Sequence, residues 1–280
     1  MRLSSVIKFA IILIITLGLL AFFDGPIIIM FLTSLKYRAD ILTPQPKWIF
    51  EPTLSNYYSV LFGVSGTTLA EGPTAIRNSL LFVTSSTTIA LLIGSLAAYG
   101  FSRFNFFGKN DLLFFILSQR FMPAIVIALP LYIFYGHLGL RGTAVGITLF
   151  YIAMLLPFAI WMMKGFFDEV PEEIDQAAIL DGYSRFTVFL RFILPLTRNG
   201  FLATYLFSFI FAWQEFLFAL LLTTPESWTI PIAIYNSRVS MQIQWGQICA
   251  YGTISIIPVF IIAVLAQKYL VRGMTLGAVK

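Results

Sequence analysis

Most of the residues that could do chemistry in this chain lie in two kinds of place. The segment 171–200, PEEIDQAAILDGYSRFTVFLRFILPLTRNG, is the most charged stretch of the sequence. The other polar groups of interest, Glu215 and the neighbouring pair Gln119 and Arg120, are embedded in long apolar stretches. A carboxylate or a guanidinium inside such a stretch can bind a polar solute or a coupling ion, or it can form an ion pair with another helix.

Other kinds of chemistry are not favoured. His137 is the only histidine and Cys249 the only cysteine, so the sequence offers neither a disulfide framework nor a histidine–cysteine metal cluster. It contains no HExxH motif, no G-x-S-x-G motif and no Walker glycine loop. We therefore expect no enzyme activity and no cofactor in this chain, with any nucleotide bound by a partner.

The composition indicates that lipid surrounds most of the chain. Of the 280 residues, 59% are apolar and 11% charged, whereas soluble domains have roughly 45–50% and about 25%. The mean hydropathy is +0.87. The net charge of +5 could suggest nucleic acid, but the basic residues are scattered at the ends of apolar stretches, where membrane orientation explains them better.

The apolar stretches predict an all-α, polytopic membrane protein that forms a single domain over 1–280. A membrane-spanning helix needs about 20 mostly apolar residues. Six stretches satisfy this length, and we expect the first to be kinked at Asp24-Gly25-Pro26. The six predicted transmembrane helices are 9–31, 78–100, 112–135, 143–163, 201–223 and 251–271.

Lysine and arginine residues predict the orientation, because they are enriched in cytoplasmic loops. With both termini inside, eleven of them lie in inner segments, six in outer segments, and Arg120 lies within a span. We therefore expect the N- and C-termini and the 171–199 loop to be cytoplasmic, and the 32–77 loop to be extracytoplasmic.

Segment 171–199 has the pattern of a helix, a tight turn and a second helix. Pro171 is favoured at a helix start, and the three acidic residues after it stabilise the exposed amides of the first turn. Gly182 fits a left-handed stop. Ser184 can cap the second helix, which we expect to end near Pro195. From the residues alone, an ordinary cytoplasmic loop lying against the headgroups is an equally good interpretation.

The same segment resembles the EAA loop of binding-protein-dependent ABC importer permeases. In that motif Glu-Ala-Ala is followed by three residues, a glycine, nine residues and Ile-x-Leu-Pro. Gln176 replaces the usual Glu, although Asp175 could supply the charge, and Phe192 replaces the usual Ile. The matching positions are Gln176, Ala177, Ala178, Gly182, Phe192, Leu194 and Pro195.

The resemblance extends over nearly the whole chain, for example at AAYGFSRFNFFGK (97–109) and FAWQEFLFALLLT. It points to the carbohydrate-uptake branch, in subunits similar to the second permease of the maltose transporter. It implies the type I importer permease fold and an inner-membrane heterodimer with a homologous second permease. It also implies an extracytoplasmic binding protein that delivers a sugar or oligosaccharide, and two cytoplasmic subunits that bind ATP and Mg.

In the family, the EAA loop docks into a cleft of the ATPase. The resemblance therefore implies that Asp175, Gln176, Ala177 and Ala178 belong to the coupling surface, with the two alanines giving a thin helix that another backbone can approach. We expect Ala177→Arg and Ala178→Arg to impair transport strongly, and Asp175→Lys to matter less than Ala177→Arg.

Glu215 has two possible roles. At 100° per residue, small and polar residues share its helix face within an arc of roughly 80°, so this face meets protein or water and not lipid. Glu215 could line the translocation path, or it could be a buried carboxylate that joins helices through hydrogen bonds. The residues on this face are Thr204, Ser208, Ala212 and Ala219.

Gln119 and Arg120 precede Pro123 and leave a similar choice. Arg120 could form a structural ion pair with Glu215 or Asp24, or it could bind a hydroxylated solute on the translocation path. An alternative function also uses this residue: a self-contained ion-coupled carrier in which Glu215 and Arg120 are the coupling pair. The absence of an internal sequence repeat weighs against that carrier.

Overall fold

The computed structural model describes residues 3–63, 72–239 and 243–276, and within these ranges it contains helices and no strand. Short helical turns of other types occur at Gln119–Phe121, Phe189–Ile193 and Pro225–Ser227. The α-helices are α1 (Leu3–Ser34), α2 (Arg38–Ile41), α3 (Ser55–Phe62), α4 (Gly72–Arg103), α5 (Lys109–Ser118), α6 (Ala124–His137), α7 (Ala144–Asp168), α8 (Glu172–Leu180), α9 (Arg185–Val188), α10 (Leu194–Leu196), α11 (Arg198–Trp213), α12 (Leu217–Leu222), α13 (Ile230–Val239) and α14 (Trp245–Leu276).

Four of the predicted spans are confirmed as single helices that are long and apolar enough to cross a membrane. Within the described residues, a fifth span is counted if the bent pair α5 and α6 crosses as one unit. Pro26 lies inside helix α1, which runs through Asp24-Gly25-Pro26 without interruption; the kink expected there stays a prediction. The four long helices contribute Lys8–Ser34, Gly72–Arg103, Ala144–Asp168 and Trp245–Leu265.

The third predicted span, 112–135, is not one straight helix. The chain bends by 94° between Lys109–Phe121 and Ala124–His137. Pro123 explains the interruption, because the residue before a proline is pushed out of the helical region, and Met122 is indeed extended, with φ −69° and ψ 126°. The prediction of an uninterrupted helix was wrong here.

The fifth predicted span, 201–223, is also interrupted. Helix α11 ends at Trp213 and α12 begins at Leu217, so neither piece alone has the length of a span. Non-helical backbone at such a depth must find internal hydrogen-bond partners. Glu215 lies in the break, and its contacts with α12 explain how the interruption is tolerated.

The second helix of the 171–199 segment ends near Pro195, as expected: α10 ends at Leu196, and Thr197, with φ −95° and ψ 16°, separates it from α11. From α9 the chain continues through a π-helical turn, Phe189–Ile193, into α10, which contains Pro195. A proline lacks an amide hydrogen and its ring clashes with the carbonyl four residues earlier. The wider π turn relieves this conflict, so the helical path continues through Pro195 as far as Leu196.

The described residues form two compact units, one within 1–73 and 233–257 and the other within 74–232 and 258–280. In the first unit, polar groups organise the part of the 32–77 loop that is described. Asn56 donates to the carbonyl oxygens of Ser34 and Lys36 at 2.9 and 3.0 Å, and the Tyr57 hydroxyl lies 2.6 Å from that of Ser34. Residues 64–71 of the predicted loop lie outside the described residues.

The second unit contains the core on which the charged segment rests. Helices α4 and α7 approach closely at Gly94, where a Cβ atom would lie 2.8 Å from that of Ala159. Small residues allow such approaches between membrane helices. Side chains of α4, α7, α8 and the π turn then pack together in one apolar cluster. Its buried members are Leu91, Ala98, Tyr99, Ala159, Met163, Phe167, Ala178, Val188, Phe189 and Ile193.

Candidate functional site

The predicted helix–turn–helix is present in segment 171–199. Helix α8 follows Pro171 and has three acidic residues in its first turn. Gly182 adopts φ +90°, and the amides of Gly182 and Tyr183 donate to the carbonyl oxygens of Ile179 and Ala178 at 3.0 and 3.1 Å. This is the Schellman pattern, which closes a helix at a left-handed residue. The local expectations for the start and stop of α8 are confirmed.

The second helix also begins as predicted. The Ser184 side chain accepts a hydrogen bond from the backbone amide of Thr187 at 3.3 Å, which caps α9. Within the following π turn Ile193 is fully buried, while Phe192 is half-buried and packs edge-on against Tyr183 at 5.4 Å between ring centroids. Leu194 is partly buried, and Pro195 is exposed.

Helix α8 has two different faces. Asp175 and Ala178 are buried within this chain, with Ala178 in the apolar cluster. Gln176, Ala177 and Leu180 are exposed, and Leu180 is 87% exposed. The two alanines of the motif therefore point in different directions, and only Ala177 is available on the outer face.

Asp175 makes contacts that the sequence did not predict. Its carboxylate accepts a hydrogen bond from the Tyr99 hydroxyl at 2.6 Å and forms an ion pair with Arg103, whose Nε lies 2.9 Å away. The side chains of Arg103 and Asp175 are only 5% and 7% exposed. Both partners come from the end of α4, so this acidic group faces the chain's own core.

Arg103 also donates hydrogen bonds to two groups other than the Asp175 carboxylate. Its Nη2 donates to the carbonyl oxygen of Val170 at 2.9 Å, and its Nη1 donates to the Ser102 hydroxyl at 3.1 Å. Ser102 in turn donates to Asp168 at the end of α7, at 2.7 Å. The ends of α4 and α7 and the start of α8 are thus joined by one hydrogen-bonded network, which holds the three together.

Glu215 lies in the break between α11 and α12 and caps the second piece. Its carboxylate oxygens accept from the backbone amides of Phe218 and Ala219 at 2.9 and 3.0 Å. These are amides that the first turn of a helix leaves without an internal partner. Of the two roles considered for Glu215, this geometry favours the structural one.

Thr204 and Ser208, which a continuous helix would place on the same face as Glu215, lie on α11 and are buried in protein, as expected. Both side chains are at most 1% exposed, and the Thr204 hydroxyl donates back to the carbonyl oxygen of Gly200 at 2.7 Å. Ala212 and Ala219 are equally buried. This face packs against the chain itself, so Thr204 and Ser208 do not line an open surface of it.

Gln119 and Arg120 lie at the bend between α5 and α6, and both are exposed. The Arg120 guanidinium lies over the rings of Phe211 and Phe158, at 4.9 and 5.8 Å from their centroids. One long hydrogen bond, 3.4 Å, reaches the carbonyl oxygen of Met154. A guanidinium carries five N–H donors, so most of its hydrogen-bonding capacity is left for a group outside this chain.

The expected pairing of Arg120 with an acidic residue is not made. Among the described residues the ion pairs are Lys47–Asp40, Arg103–Asp175 and Lys164–Asp168. The ion-coupled carrier required Glu215 and Arg120 to act as a pair, whereas the Glu215 carboxylate is engaged by backbone amides. The geometry therefore gives this alternative no support.

Sequence reasoning missed Tyr99 and Arg103. An arginine at the end of an apolar span is typical of membrane orientation, so the pattern gives no sign that Arg103 has a buried partner. Its partner Asp175 lies 72 residues further along the chain. The available signal was weak: Asp175 carries the opposite charge and lies in segment 171–199, which is also predicted to be on the inner side.

Comparison with known proteins identifies the family. Residues 90–276 match the family described as binding-protein-dependent transport system inner membrane component. A probable ABC transporter permease protein, y4oR of Sinorhizobium fredii, is 37% identical over 251 residues, which cover 90% of this chain and 88% of that protein. The trehalose/maltose transport system permease protein MalG of Thermococcus litoralis is 37% identical over 233 residues, or 82% of each chain.

A more distant relative is the diacetylchitobiose uptake system permease protein DasC of Streptomyces coelicolor, which is 29% identical over 256 residues and matches 91% of each chain. The fold matches a chain in the crystal structure of a bacterial ABC transporter involved in the import of the acidic polysaccharide alginate. The TM-score is 0.76 at 21% identity, over 96% of this chain and 99% of that one. This likeness confirms the predicted permease fold. The chain therefore belongs to the family of binding-protein-dependent transport system inner membrane components and is a permease of the ABC importer class.

Proposed function

We propose that this permease moves a sugar or oligosaccharide, delivered by an extracytoplasmic binding protein, across the inner membrane with a homologous second permease. ATP hydrolysis in two cytoplasmic partner subunits, which bind ATP and Mg, drives the step. The partner docks on the exposed face of α8 and the turn after it. Two of the relatives described above are named for saccharide transport, which supports the solute class.

The observation that carries this proposal is the outer surface of segment 171–199. Gln176, Ala177 and Leu180 form an exposed face on a helix whose other side is fixed in the core. Phe186 just beyond the turn is 60% exposed. Exposed apolar side chains beside a helix without bulk at Ala177 suit a protein partner.

The proposed docking side is cytoplasmic. The basic-residue bias places segment 171–199 and both termini inside, and the network between the ends of α4 and α7 and the start of α8 is consistent with one common face. A reporter fused within 171–199 should be cytoplasmic and one within 40–70 external. Lys280, the site for a C-terminal reporter, lies outside the described residues. An external 171–199 segment would remove the docking proposal.

For the translocation path we propose Gln119 and Arg120, and we place Glu215 in a supporting role. Arg120 has unused donors and lies at the 94° bend between the apolar helices α5 and α6. A guanidinium facing hydrocarbon would be costly, so residues of this kind face a water-filled cavity or another protein. Sugar hydroxyls and carboxylates are suitable acceptors for its N–H groups.

The decisive experiment is reconstitution. The chain is purified with its associated subunits and placed in vesicles, and we expect an ATPase to co-purify and uptake to require ATP. The solute can be identified by mass spectrometry of the ligand held by the associated binding protein. Uptake without ATP, driven by an ion gradient, would instead establish the carrier alternative.

The variant Ala177→Arg tests the docking face. A long cation on this exposed face should block the ATPase, so uptake should fall to background while the chain still inserts and melts like the parent. Gln176→Glu is the mild companion: the two side chains have nearly equal size and both keep an acceptor oxygen, so we expect only a modest change in uptake. Parental uptake and ATPase recovery with Ala177→Arg would contradict the docking site.

A further inference from the structure

Asp175 immediately precedes the motif and belongs to the residues that the resemblance assigns to the coupling surface. Both oxygens of its carboxylate are instead engaged inside the chain, Oδ1 by the Tyr99 hydroxyl and Oδ2 by Arg103. The side chain is 7% exposed. No surface of this residue is left for a partner to bind, so its role must be exercised through α4.

Tyr99 and Arg103 stand four residues apart on α4, so they lie on one face of that helix. Arg103 binds both the first turn of α8, at Asp175, and the residue just before Pro171, at the Val170 carbonyl. The Tyr99 ring packs against Phe167 of α7 and Phe189 of the π turn, at 6.1 and 5.2 Å between centroids. One side of α4 therefore contacts both the start of segment 171–199 and the π turn that follows α9.

The energetics make this a rigid connection. Separating a buried ion pair leaves two uncompensated charges in the interior, which is far more costly than separating apolar surfaces. Helix α8 could not move away from the end of α4 unless water replaced every one of these hydrogen bonds. A force applied to the outer face of α8 is therefore transmitted to α4 and does not tilt α8 alone.

We propose that Tyr99, Arg103 and Asp175 are positioning residues that make α8 and the cytoplasmic end of α4 one moving body. Displacement of the coupling helix by the ATPase then becomes displacement of the α4 span. This inference rests on the proposed docking function, and it adds the residues through which the docking motion enters the membrane helices.

The test uses the reconstituted complex and measures solute uptake and ATP hydrolysis in the same vesicles. Asp175→Asn keeps the size of the side chain and removes the charge that pairs with Arg103. We expect uptake to fall about tenfold or more, the size of a typical coupling free energy between sites, while the ATPase remains bound and continues to hydrolyse ATP. The matched control is Glu169→Gln, which removes an exposed carboxylate from the same connection and should leave both rates at the parental level.

Two gentler variants keep the test decisive if Asp175→Asn fails to assemble. Tyr99→Phe removes a single hydrogen bond, and Arg103→Lys keeps the charge but loses the planar guanidinium with its several N–H donors. Both should lower the ratio of solute moved to ATP hydrolysed, with Arg103→Lys closer to the parent than Arg103→Gln. Parental ratios for both conservative variants would overturn the proposal.

A spectroscopic measurement separates positioning from a merely structural role. Cys249→Ser gives a cysteine-free background, since the chain has one cysteine. Spin labels are then placed at the exposed positions Leu96 of α4 and Glu172 of α8. The distance between labels should be the same in nucleotide-free and nucleotide-bound states of the parent complex, and its distribution should broaden with Asp175→Asn. A parental distance that changes with nucleotide would mean that the two helices move separately, which overturns the proposal.

The outcomes also distinguish this inference from the proposed function. If the parent complex neither binds an ATPase nor needs ATP for uptake, the docking function itself fails. If the parent transports with ATP and the three network variants keep its coupling ratio, the docking function stands and only the positioning role is wrong.

Discussion

Arg103 and Arg120 show how the same side chain serves two purposes in one membrane protein. Arg103 is buried and bonded to a carboxylate, a carbonyl and a hydroxyl. Arg120 is exposed over two aromatic rings, with one long hydrogen bond to its own chain. The first guanidinium is satisfied internally and stabilises the fold, whereas the second keeps donors for something outside the chain.

The acidic residues Asp175 and Glu215 also differ in what they bind. Asp175 pairs with a charge from another helix, so its loss affects how two helices are joined. Glu215 binds amides of the short helix immediately after it, so its effect is local. Within the described residues, two ion pairs, Arg103–Asp175 and Lys164–Asp168, lie where α4, α7 and α8 meet, and a third, Lys47–Asp40, lies in the 32–77 segment. Arg120 and Glu215 are in none of these pairs and are not joined to each other.

The largest effect that this comparison predicts is that of Asp175→Lys. It removes the partner of Arg103 and places a second cation against it in a buried site. Breaking a buried pair costs about 3–5 kcal/mol, and like-charge repulsion adds to that loss. We expect the variant to be poorly recovered from membranes and to unfold at a clearly lower temperature than the parent.

The control for that experiment is Glu169→Lys, the same reversal of charge at an exposed position of the same connection. It should insert and melt like the parent. The sequence alone led us to expect Asp175→Lys to matter less than Ala177→Arg. The burial of Asp175 reverses that order for stability, while Ala177→Arg should remain the more specific defect in docking. A parental melting temperature for Asp175→Lys would break the comparison.

The next effect separates the two arginines by function. Arg120→Leu removes cation–π contacts worth about 0.5–2 kcal/mol, so the fold should be retained while ATP-driven uptake falls strongly. Arg103→Leu should instead destabilise the chain by about 3–5 kcal/mol, because it strands Asp175. Thermal unfolding and uptake measured side by side decide the matter. Equal losses of stability in the two variants would mean that Arg120, too, is a structural residue.

What could be predicted from the sequence depended on how local the cause was. The start of α8 at Pro171, the left-handed Gly182 and the Ser184 cap all follow from residues within a few positions of one another, and all three were found. The break at Glu215 was missed because the apolar length of 201–223 favours a continuous helix. The break is stabilised by hydrogen bonds from the amides of α12 to Glu215, and the sequence pattern does not show these bonds. The pairing of Asp175 with Arg103 joins positions 72 residues apart, so a single sequence cannot reveal it.

The orientation of the two alanines of the motif also depends on distant residues and could not be predicted. Their adjacency suggested one thin face, but neighbouring residues on a helix point 100° apart. Which of the two meets the core is decided by where α8 lies against α4 and α7, and this depends on packing that the sequence pattern does not specify. Ala178 enters the apolar cluster, and Ala177 remains outside.

The smallest expected effect tests whether Arg120 and Glu215 are independent. Glu215→Gln keeps one acceptor oxygen for the amides of α12 and loses the charge, so we expect a loss of about 1 kcal/mol, as for a weakened helix cap. Arg120→Gln alone should cost about as much through its ring contacts. If the two residues formed an ion pair, the double variant would cost clearly less than the sum of the single ones. Because Glu215 binds amides and Arg120 lies over Phe211 and Phe158, the losses should instead add within about 0.5 kcal/mol.

The coupling energy is the difference between the loss in the double variant and the sum of the two single losses. It is obtained by unfolding the parent, both single variants and the double variant under identical detergent conditions. A value above about 1 kcal/mol would show that the two groups interact, and the division between the paired network of α4 and α8 and the unpaired groups Arg120 and Glu215 would not hold.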